Sequence, residues 1–220
     1  HWPQVPIYVS AQAHALLGLS PDDSGLVIAH LGNGASISGI RAGKAIDTSM
    51  GMTPLEGIVM GTRSGDIDAG IPKFLADNNN MSFADIDNAL NKKSGLLGLS
   101  GISSDMRDIE SAAKEGHERA KLAVDVLRHR ALKYIGAYAI ELGRVDAIIF
   151  TGGIGENGID FRASVVERLT ALGIRLDAAA NNARGKEVVI STADSPIKVM
   201  VVPTNEELVI ARDTRDIVRK

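Results

Sequence analysis

The 220-residue sequence contains no cysteine. That excludes a disulfide frame, a thiolate zinc site and a thiol nucleophile, and it fits a reducing, cytoplasmic setting. Charge of one sign is also missing: 24 Lys and Arg stand against 27 Asp and Glu, a formal net charge of -3, with no run of like charge. A surface for nucleic acid or an anionic membrane therefore has no electrostatic support, and a small-molecule partner is expected. No apolar segment reaches the ~18 residues needed to span a bilayer. The opening HWPQVP lacks the charged start and apolar middle of a signal peptide. A soluble chain is expected. It opens on His1 rather than Met, so translation is expected to begin upstream. No G-x-x-x-x-G-K-[ST] run occurs, since Lys44 is followed by Ala45 and Lys186 by Glu187, which excludes a P-loop.

What is present begins with apolar residues, 45% of the chain, enough for the core of one large domain or of a domain with a smaller companion. Residues 25–50 read as three consecutive strands. LVIAH is apolar, Asn33-Gly34 predicts a type I′ turn, ASISGI alternates, Ala42-Gly43 turns again and KAIDTSM continues. From Met52 to Gly70 the chain is rich in Gly, Ser, Thr and Asp and reads as a loop with at most a helical turn, of a length that is often functional. A helical block follows, with Ser82 as N-cap, Asp85 three residues on, and Phe83, Ile86 and Leu90 on the apolar side. GLLGLSGISSDM interrupts it. Ala120, Val124, Leu127, Ala131, Tyr134, Tyr138 and Leu142 then advance by three or four residues, one stripe of a long scaffold helix. Beyond it lie a strand at 146–151, a helix from about 160 to 172, short strands at 174–176 and 187–190, a strand at 197–202, and a final helix from Asn205. Asp146 reads as structural. The fold class is α/β, a mixed sheet that starts with a three-strand antiparallel meander and is flanked by helices.

DAIIFTGGIGENGIDF, residues 146–161, breaks from a strand into glycines. Gly153, Gly155 and Gly158 fit the G-x-G-x-x-G fingerprint of a dinucleotide turn, and Asp177, 19 residues past Gly158, could take a ribose hydroxyl. The order of elements opposes NAD: the fingerprint usually opens the first βαβ unit, whereas here it follows a meander and a helical block, with too little chain left for a second mononucleotide half. The same glycines could also do no more than turn a corner. A different phosphate-binding design is a pair of glycine turns facing each other. In it, HLGNGAS (30–36) offers backbone N–H groups and the Asn33 amide to phosphate, and TGGIGEN (151–157) cradles adenosine beside a helix start. Ordinary turn chemistry also explains the hairpin when it is taken alone.

HLGNGASI, DTSMGMTPLEG, MGTRSGDID, NKKSGLLGLSG, SSDMRDI, FTGGIGEN and PTNEEL, in this order, resemble the acetate and propionate kinases, the acetokinase family of the actin-like ATPase superfamily. The resemblance runs from about Tyr8 to the C-terminus. It implies the ribonuclease H-like fold of that superfamily and makes residues 1–220 the C-terminal nucleotide-binding domain of a two-domain kinase. A helical insert would fall at about 82–143, and the N-terminal domain would be absent. ATP or ADP with Mg²⁺, a homodimer, and reversible transfer of phosphoryl to acetate or propionate to give an acyl phosphate are implied with it.

Transfer to a carboxylate needs no general base, because the nucleophile is already an anion; counter-charge and positioning are the requirement. The resemblance places a transition-state-stabilising arginine at Arg63, whose planar fork suits carboxylate or phosphoryl oxygens. A salt bridge from Arg63 to Asp66 or Asp68 is the competing expectation. Glu206 matches the magnesium ligand, although a glutamate there, like Glu207, also complements the first turn of a helix. His30, Leu31, Gly32, Asn33 and Gly34 match a phosphate-contacting hairpin. A histidine that ends an apolar strand is also an ordinary core residue. Asp105, Met106 and Arg107 match a nucleoside segment in which Asp105 could accept from ribose hydroxyls and Met106 could cover an adenine face. Gly153, Ile154, Gly155, Glu156 and Asn157 complete the adenosine pocket.

Ahead of Tyr8 the family carries GFHGTSH, whose first histidine assists the transition state; here HWPQVPI puts Trp2 at that histidine. With the N-terminal domain go the family's catalytic aspartate and most of the carboxylate pocket, so the isolated chain is expected to bind MgATP or MgADP weakly and turn over poorly. Acetate and propionate differ by one methylene, and the residues that would tell them apart lie outside this chain. A non-catalytic actin-like nucleotide-binding module and an NAD-binding domain are the alternatives.

Overall fold

The structure, a computed structural model, describes residues 4–204. In chain order these form α1 (Gln4–Leu17), β1 (Gly25–Leu31), β2 (Ala35–Arg41), β3 (Lys44–Thr48), α2 (Ile71–Asn79), α3 (Phe83–Lys92), α4 (Gly95–Ser100), α5 (Met106–Lys114) and α6 (Glu118–Leu142). There follow β4 (Ala147–Thr151), α7 (Gly152–Asn157), α8 (Ile159–Val166), α9 (Ala178–Asn181), β5 (Val188–Val189) and β6 (Lys198–Val201). The chain divides into two compact units. Of the described residues, the first comprises 4–30, 38–47 and 135–204, and the second 31–37 and 48–134.

The six strands form one sheet in the order β3-β2-β1-β4-β6-β5. The three-residue and two-residue links within β1–β3 are too short for a crossover, so this end of the sheet is the antiparallel meander that the sequence predicts. Of the two turns the sequence places here, the one with type I′ character is at Ala42-Gly43 and not at Asn33-Gly34. A type I′ turn needs positive φ at both central residues; Ala42 (φ 48) and Gly43 (φ 71) have it, whereas Asn33 and Gly34 do not. β1 and β4 pair in parallel from Leu26↔Ala147 to His30↔Thr151. β4 and β6 are also parallel, and β5 closes the edge antiparallel to β6.

β4 is buried along its whole length, as an apolar AIIFT run sandwiched in a sheet should be. In the first unit, Val9 and Ala13 of α1 pack with Leu26, Ile28, Ile40, Ala147, Ile149 and Met200 to form one core. Asp146 is structural, as expected: Oδ2 accepts from the Gly25 amide at 2.9 Å and Oδ1 from Arg144 Nε at 3.0 Å, which ties the start of β4 to the start of β1. The single helix expected over 160–172 is instead α8 and a 3₁₀ turn at Leu169–Leu172, with the separate short helix α7 ahead of them. The strand expected at 174–176 shrinks to one bridge, Leu176↔Ser191. The final helix expected from Asn205 lies outside the described residues.

In the second unit, residues 52–70 carry no helix or strand, as expected, and α2 follows with Pro72 in its first turn, where the missing N–H costs nothing. α3 has the predicted capping box: Ser82 Oγ accepts from the Asp85 amide at 3.2 Å, and Asp85 Oδ2 accepts from the Ser82 amide at 2.9 Å. Ile86 is buried, but Phe83, expected on the same face, is 85% exposed. α6, whose residues from Ile135 on belong to the first unit, buries Ala120, Leu127, Ala131, Tyr138 and Leu142 as predicted, with Ala123 and Ile135 replacing Val124 and Tyr134. Tyr134 stays half-buried because its hydroxyl reaches out to Asp66. Among the described residues no helix is long and apolar enough to cross a membrane. The architecture is the mixed α/β sheet with flanking helices that the sequence predicts.

Candidate functional site

The second unit brings Asn33, Gly34 and Arg63 together. The link between β1 and β2 is closed by the Gly32 amide donating to the Gly34 carbonyl at 3.1 Å. The Gly61 amide donates to the Asn33 carbonyl at 3.0 Å, joining the hairpin to the 52–66 loop. A Cβ at 61 would collide with Asn33 Oδ1, so the Asn33 amide would have to swing aside from its present position. At 34 the space is bounded by Arg63: a Cβ there would lie 3.7 Å from its Nη1. A cation thus stands beside the exposed backbone of the hairpin.

Arg63 makes neither of the salt bridges weighed for it. Its Nη1 donates to the Pro54 carbonyl at 3.2 Å and lies 3.5 Å from the Met60 sulfur. Asp66 is engaged elsewhere: it accepts from the Gly57 amide at 2.8 Å and the Tyr134 hydroxyl at 2.7 Å, with Arg130 Nη1 at 3.6 Å. Asp68 accepts from the Gly70 amide at 2.7 Å. Among the described residues, therefore, Arg63 has no carboxylate partner. The loop that carries it is tightly held, with Met60 N donating to Arg63 O, Leu96 N to Met60 O, Ser64 N to Leu90 O and Ser94 N to Thr62 O, at 2.8 to 3.1 Å. A braced guanidinium without a counter-ion is suited to an incoming anion.

Asp105, Met106 and Arg107 form a separate group at the start of α5. Asp105 is the N-cap and accepts from the Arg107 amide at 2.9 Å. Its carboxylate also takes a fork from the Arg107 side chain, Nε at 3.0 Å and Nη2 at 2.5 Å. These bonds hold the Asp105 carboxyl well down, at about 2. Met106 is buried, so its side chain is not presented as an open face for a base.

The first unit carries the other candidates. His30, the last residue but one of β1, sits beside Thr151, the last residue of β4. Thr151 is fully buried, and its Oγ1 has no hydrogen-bond partner among the described residues. The turn Gly152–Asn157 is a short helix, α7. Its glycines differ in purpose. Gly152 has a positive φ of 76, Gly155 would press on the Phe150 backbone at 3.3 Å, and a Cβ on Gly158 would lie 2.6 Å from the Ile154 carbonyl oxygen. Those three are explained by the fold. Gly153 is not, since a Cβ there would meet nothing within 4 Å. The Glu156 carboxylate points inward rather than out: Oε1 accepts from the Gly152 amide at 3.1 Å and from the Thr204 amide and hydroxyl at 3.0 and 3.1 Å. Glu206 lies outside the described residues.

The dinucleotide reading loses its acid. Asp177 is the N-cap of α9, accepting from the Ala180 amide at 3.0 Å, so its carboxylate serves a helix end. Sequence reasoning, for its part, missed Asp66, Arg130, Tyr134, Thr151 and Arg162. Tyr134 and Arg130 reach Asp66 from 68 and 64 positions away, Arg162 reaches residues 181 and 183 as well as 155 and 156, and Thr151 is marked only by its burial, so no local pattern singles them out.

Residues 6–212 match the Acetokinase family. The chain is 56% identical over 211 residues to the acetate kinase of Halothermothrix orenii, covering 96% of this chain and 53% of that protein. The crystal structure of Porphyromonas gingivalis acetate kinase superposes with a TM-score of 0.94 at 50% identity, covering 98% of this chain and 54% of the other. A propionate kinase from Francisella tularensis subsp. tularensis SCHU S4 superposes with a TM-score of 0.88 at 44% identity, covering 94% and 53%. The chain thus spans about half the length of the curated relatives it matches. With a match across nearly all its residues and identity above half to a curated relative, the chain belongs to the acetokinase family.

Proposed function

We propose that this chain is the nucleotide-binding part of a kinase that reversibly transfers the γ-phosphoryl group of ATP to acetate or propionate, giving an acyl phosphate and ADP. The observation that carries the reading is Arg63, a braced guanidinium beside the Gly34 backbone that is paired with no carboxylate among the described residues. A carboxylate oxygen attacks the γ-phosphorus as the bond to the β-phosphate oxygen breaks, and ADP leaves. No proton need move, so the protein's task is to neutralise and align negative charge. Arg63 would grip equatorial oxygens of the transferring group, and the hairpin of His30, Leu31, Gly32, Asn33 and Gly34 would bind phosphate. Asp105, Met106 and Arg107 would bind the nucleoside, as would Gly153, Ile154, Gly155, Glu156 and Asn157. Of these, Glu156 and Met106 would contribute backbone, since the Glu156 carboxylate is bonded internally and Met106 is buried.

The family's nucleotide chemistry calls for Mg²⁺. Among the described residues no group of three or more His, Asp and Glu side chains could hold a metal, and Glu156 is already satisfied. Glu206 is the residue proposed to bind it, and a single hard carboxylate suits an ion that fills its other positions with water and phosphate oxygens. Bound magnesium would offset phosphate charge. The remaining length seen in the relatives would carry most of the carboxylate pocket, and a cytoplasmic homodimer is the proposed setting.

The test is the thermal stability of the chain with MgADP, MgATP and NAD⁺ in parallel, because a ligand that prefers the folded state raises its apparent stability. Stabilisation by the two magnesium nucleotides alone is expected. Stabilisation by NAD⁺ alone would overturn the reading.

A further inference from the structure

Arg162 is the bulkiest of the fully buried side chains described. Its exposure is 0% and it lies in the middle of α8, yet no carboxylate accompanies it among the described residues. All its partners are neutral oxygens. Nε donates to Asn181 Oδ1 at 2.9 Å, Nη1 to the carbonyls of Gly155 and Glu156 at 2.9 Å each, and Nη2 to the carbonyls of Asn181 and Ala183 at 2.8 Å each. These five bonds match the full donor complement of a guanidinium. Asn181 is fixed in turn, its Nδ2 donating to the Ile159 carbonyl at 3.0 Å.

Burying an unpaired cation is costly, and an apolar side chain of similar volume would fill the space with no such penalty. A guanidinium offers something an apolar group cannot, a rigid fork that fixes several carbonyls at once. Two of those carbonyls belong to the last turn of α7, where helix carbonyls lack partners within the helix and a positive charge is favoured. A six-residue helix is too short to hold its own shape. At the other end, the Glu156 carboxylate closes back on the Gly152 amide. Between the two clamps, Gly153 faces open space.

We propose that Arg162 is a positioning residue for nucleotide binding: its five bonds set the conformation of residues 152–157, and it acts on the nucleotide through that turn without touching it. The inference rests on the proposed role of the turn. Arg162→Lys keeps the charge but cannot reproduce the planar five-donor fork, so the chain should fold while the turn is left loose.

The experiment is an MgADP titration followed by thermal unfolding of the chain, joined to steady-state kinetics of Arg162→Lys in a protein carrying the relatives' full length. Expected is a loss of MgADP affinity of about tenfold, equivalent to about 1.4 kcal/mol. The KM for nucleotide should rise in parallel, with the KM for carboxylate unchanged. A merely structural role would lower the melting temperature and leave the affinity of the folded protein and both KM values alone, and that result overturns the proposal. Should Arg162→Lys not fold, Asn181→Ala, which deletes only the Nε bond on the arginine, is read the same way: weaker MgADP binding supports the inference and unchanged binding defeats it. If the unsubstituted chain is not stabilised by MgADP at all, the proposed function fails, and the inference fails with it for that separate reason.

Discussion

The Tyr134 hydroxyl donates to Asp66 Oδ2 at 2.7 Å, and this bond, with Arg130 beside the same carboxylate, keeps Asp66 away from Arg63. Asp66 also receives the Gly57 amide, while its own amide donates to the Gly57 carbonyl at 2.8 Å, so residues 57 and 66 close the loop around Arg63. The nearest acid in sequence is thereby occupied, and among the described residues the guanidinium is left without a carboxylate partner.

Arg63→Ala is expected to lower kcat for phosphoryl transfer by about 10²–10³ in a full-length protein, the usual loss on deleting one group that stabilises transition-state charge. Stability should change by no more than about 0.5 kcal/mol, since a half-buried loop side chain with a single carbonyl partner is removed. MgADP should still stabilise the chain. Kinetics and thermal unfolding on the same preparation check both parts, and transfer at the unsubstituted rate would remove Arg63 from the mechanism.

Tyr134→Phe deletes only the hydroxyl. A hydrogen bond to a charged group that is shared with solvent should make this cost about 1–2 kcal/mol, read by denaturant unfolding. Burial, and after it the bond to Asp66, raise the Tyr134 pKa, so the hydroxyl stays protonated and the bond should persist throughout the alkaline range in which ordinary tyrosines ionise. The kinetic consequence is expected at kcat, through a loosened Arg63 loop, and not at the KM for nucleotide.

How far the sequence reached follows from where each signal resides. The β1–β3 meander and the Ser82–Asp85 capping box are written in neighbouring residues, and both form as expected. The Asn33-Gly34 pair was misread as a type I′ turn because its conformation answers to the Gly61 amide, 28 residues on, rather than to its own propensity. Arg162 looks in sequence like one polar position on a helix; only the folding of residues 155–156 and 181–183 around it makes it a core residue. α1 announced itself poorly, since its partners are β1 and β4 and its own apolar spacing is irregular. The candidate site shows the same division. The proposed site motifs are written in short local runs of sequence, whereas the residues that hold those runs in place are brought to them only by the fold.

The pair Asp105–Arg107 makes a prediction about pH. The Asp105 carboxyl is lowered from 3.8 to about 2, first by the hydrogen bond from the Arg107 side chain and then by that from the Arg107 amide. An acid whose folded pKa is depressed stabilises the fold above its unfolded pKa and loses that contribution as pH falls through the folded value. The window here is pH 3.8 down to about 2. The pair is largely exposed, so the contribution is screened and small. Carboxyl-resolved NMR should show an Asp105 midpoint near 2 that rises towards 3.8 in Arg107→Ala. A midpoint already near 3.8 in the unsubstituted chain would mean that the fork does not persist in solution.

Gly153 and Gly158 separate what the fold needs from what a ligand needs. A Cβ at 158 would lie 2.6 Å from the Ile154 carbonyl oxygen, a backbone atom that cannot swing aside, so Gly158→Ala should destabilise the chain by about 1–3 kcal/mol. A Cβ at 153 would meet nothing within 4 Å and lies in α7, where alanine is the better helix former, so Gly153→Ala should leave stability unchanged or raise it by up to about 1 kcal/mol. A glycine that the fold does not require, on a turn clamped by Arg162 and Glu156, is explained if a nucleotide approaches the backbone there. Gly153→Ala should therefore melt at or above the parent temperature yet gain less from MgADP. If it gains as much as the parent, the open face at 153 is not where the nucleotide lies.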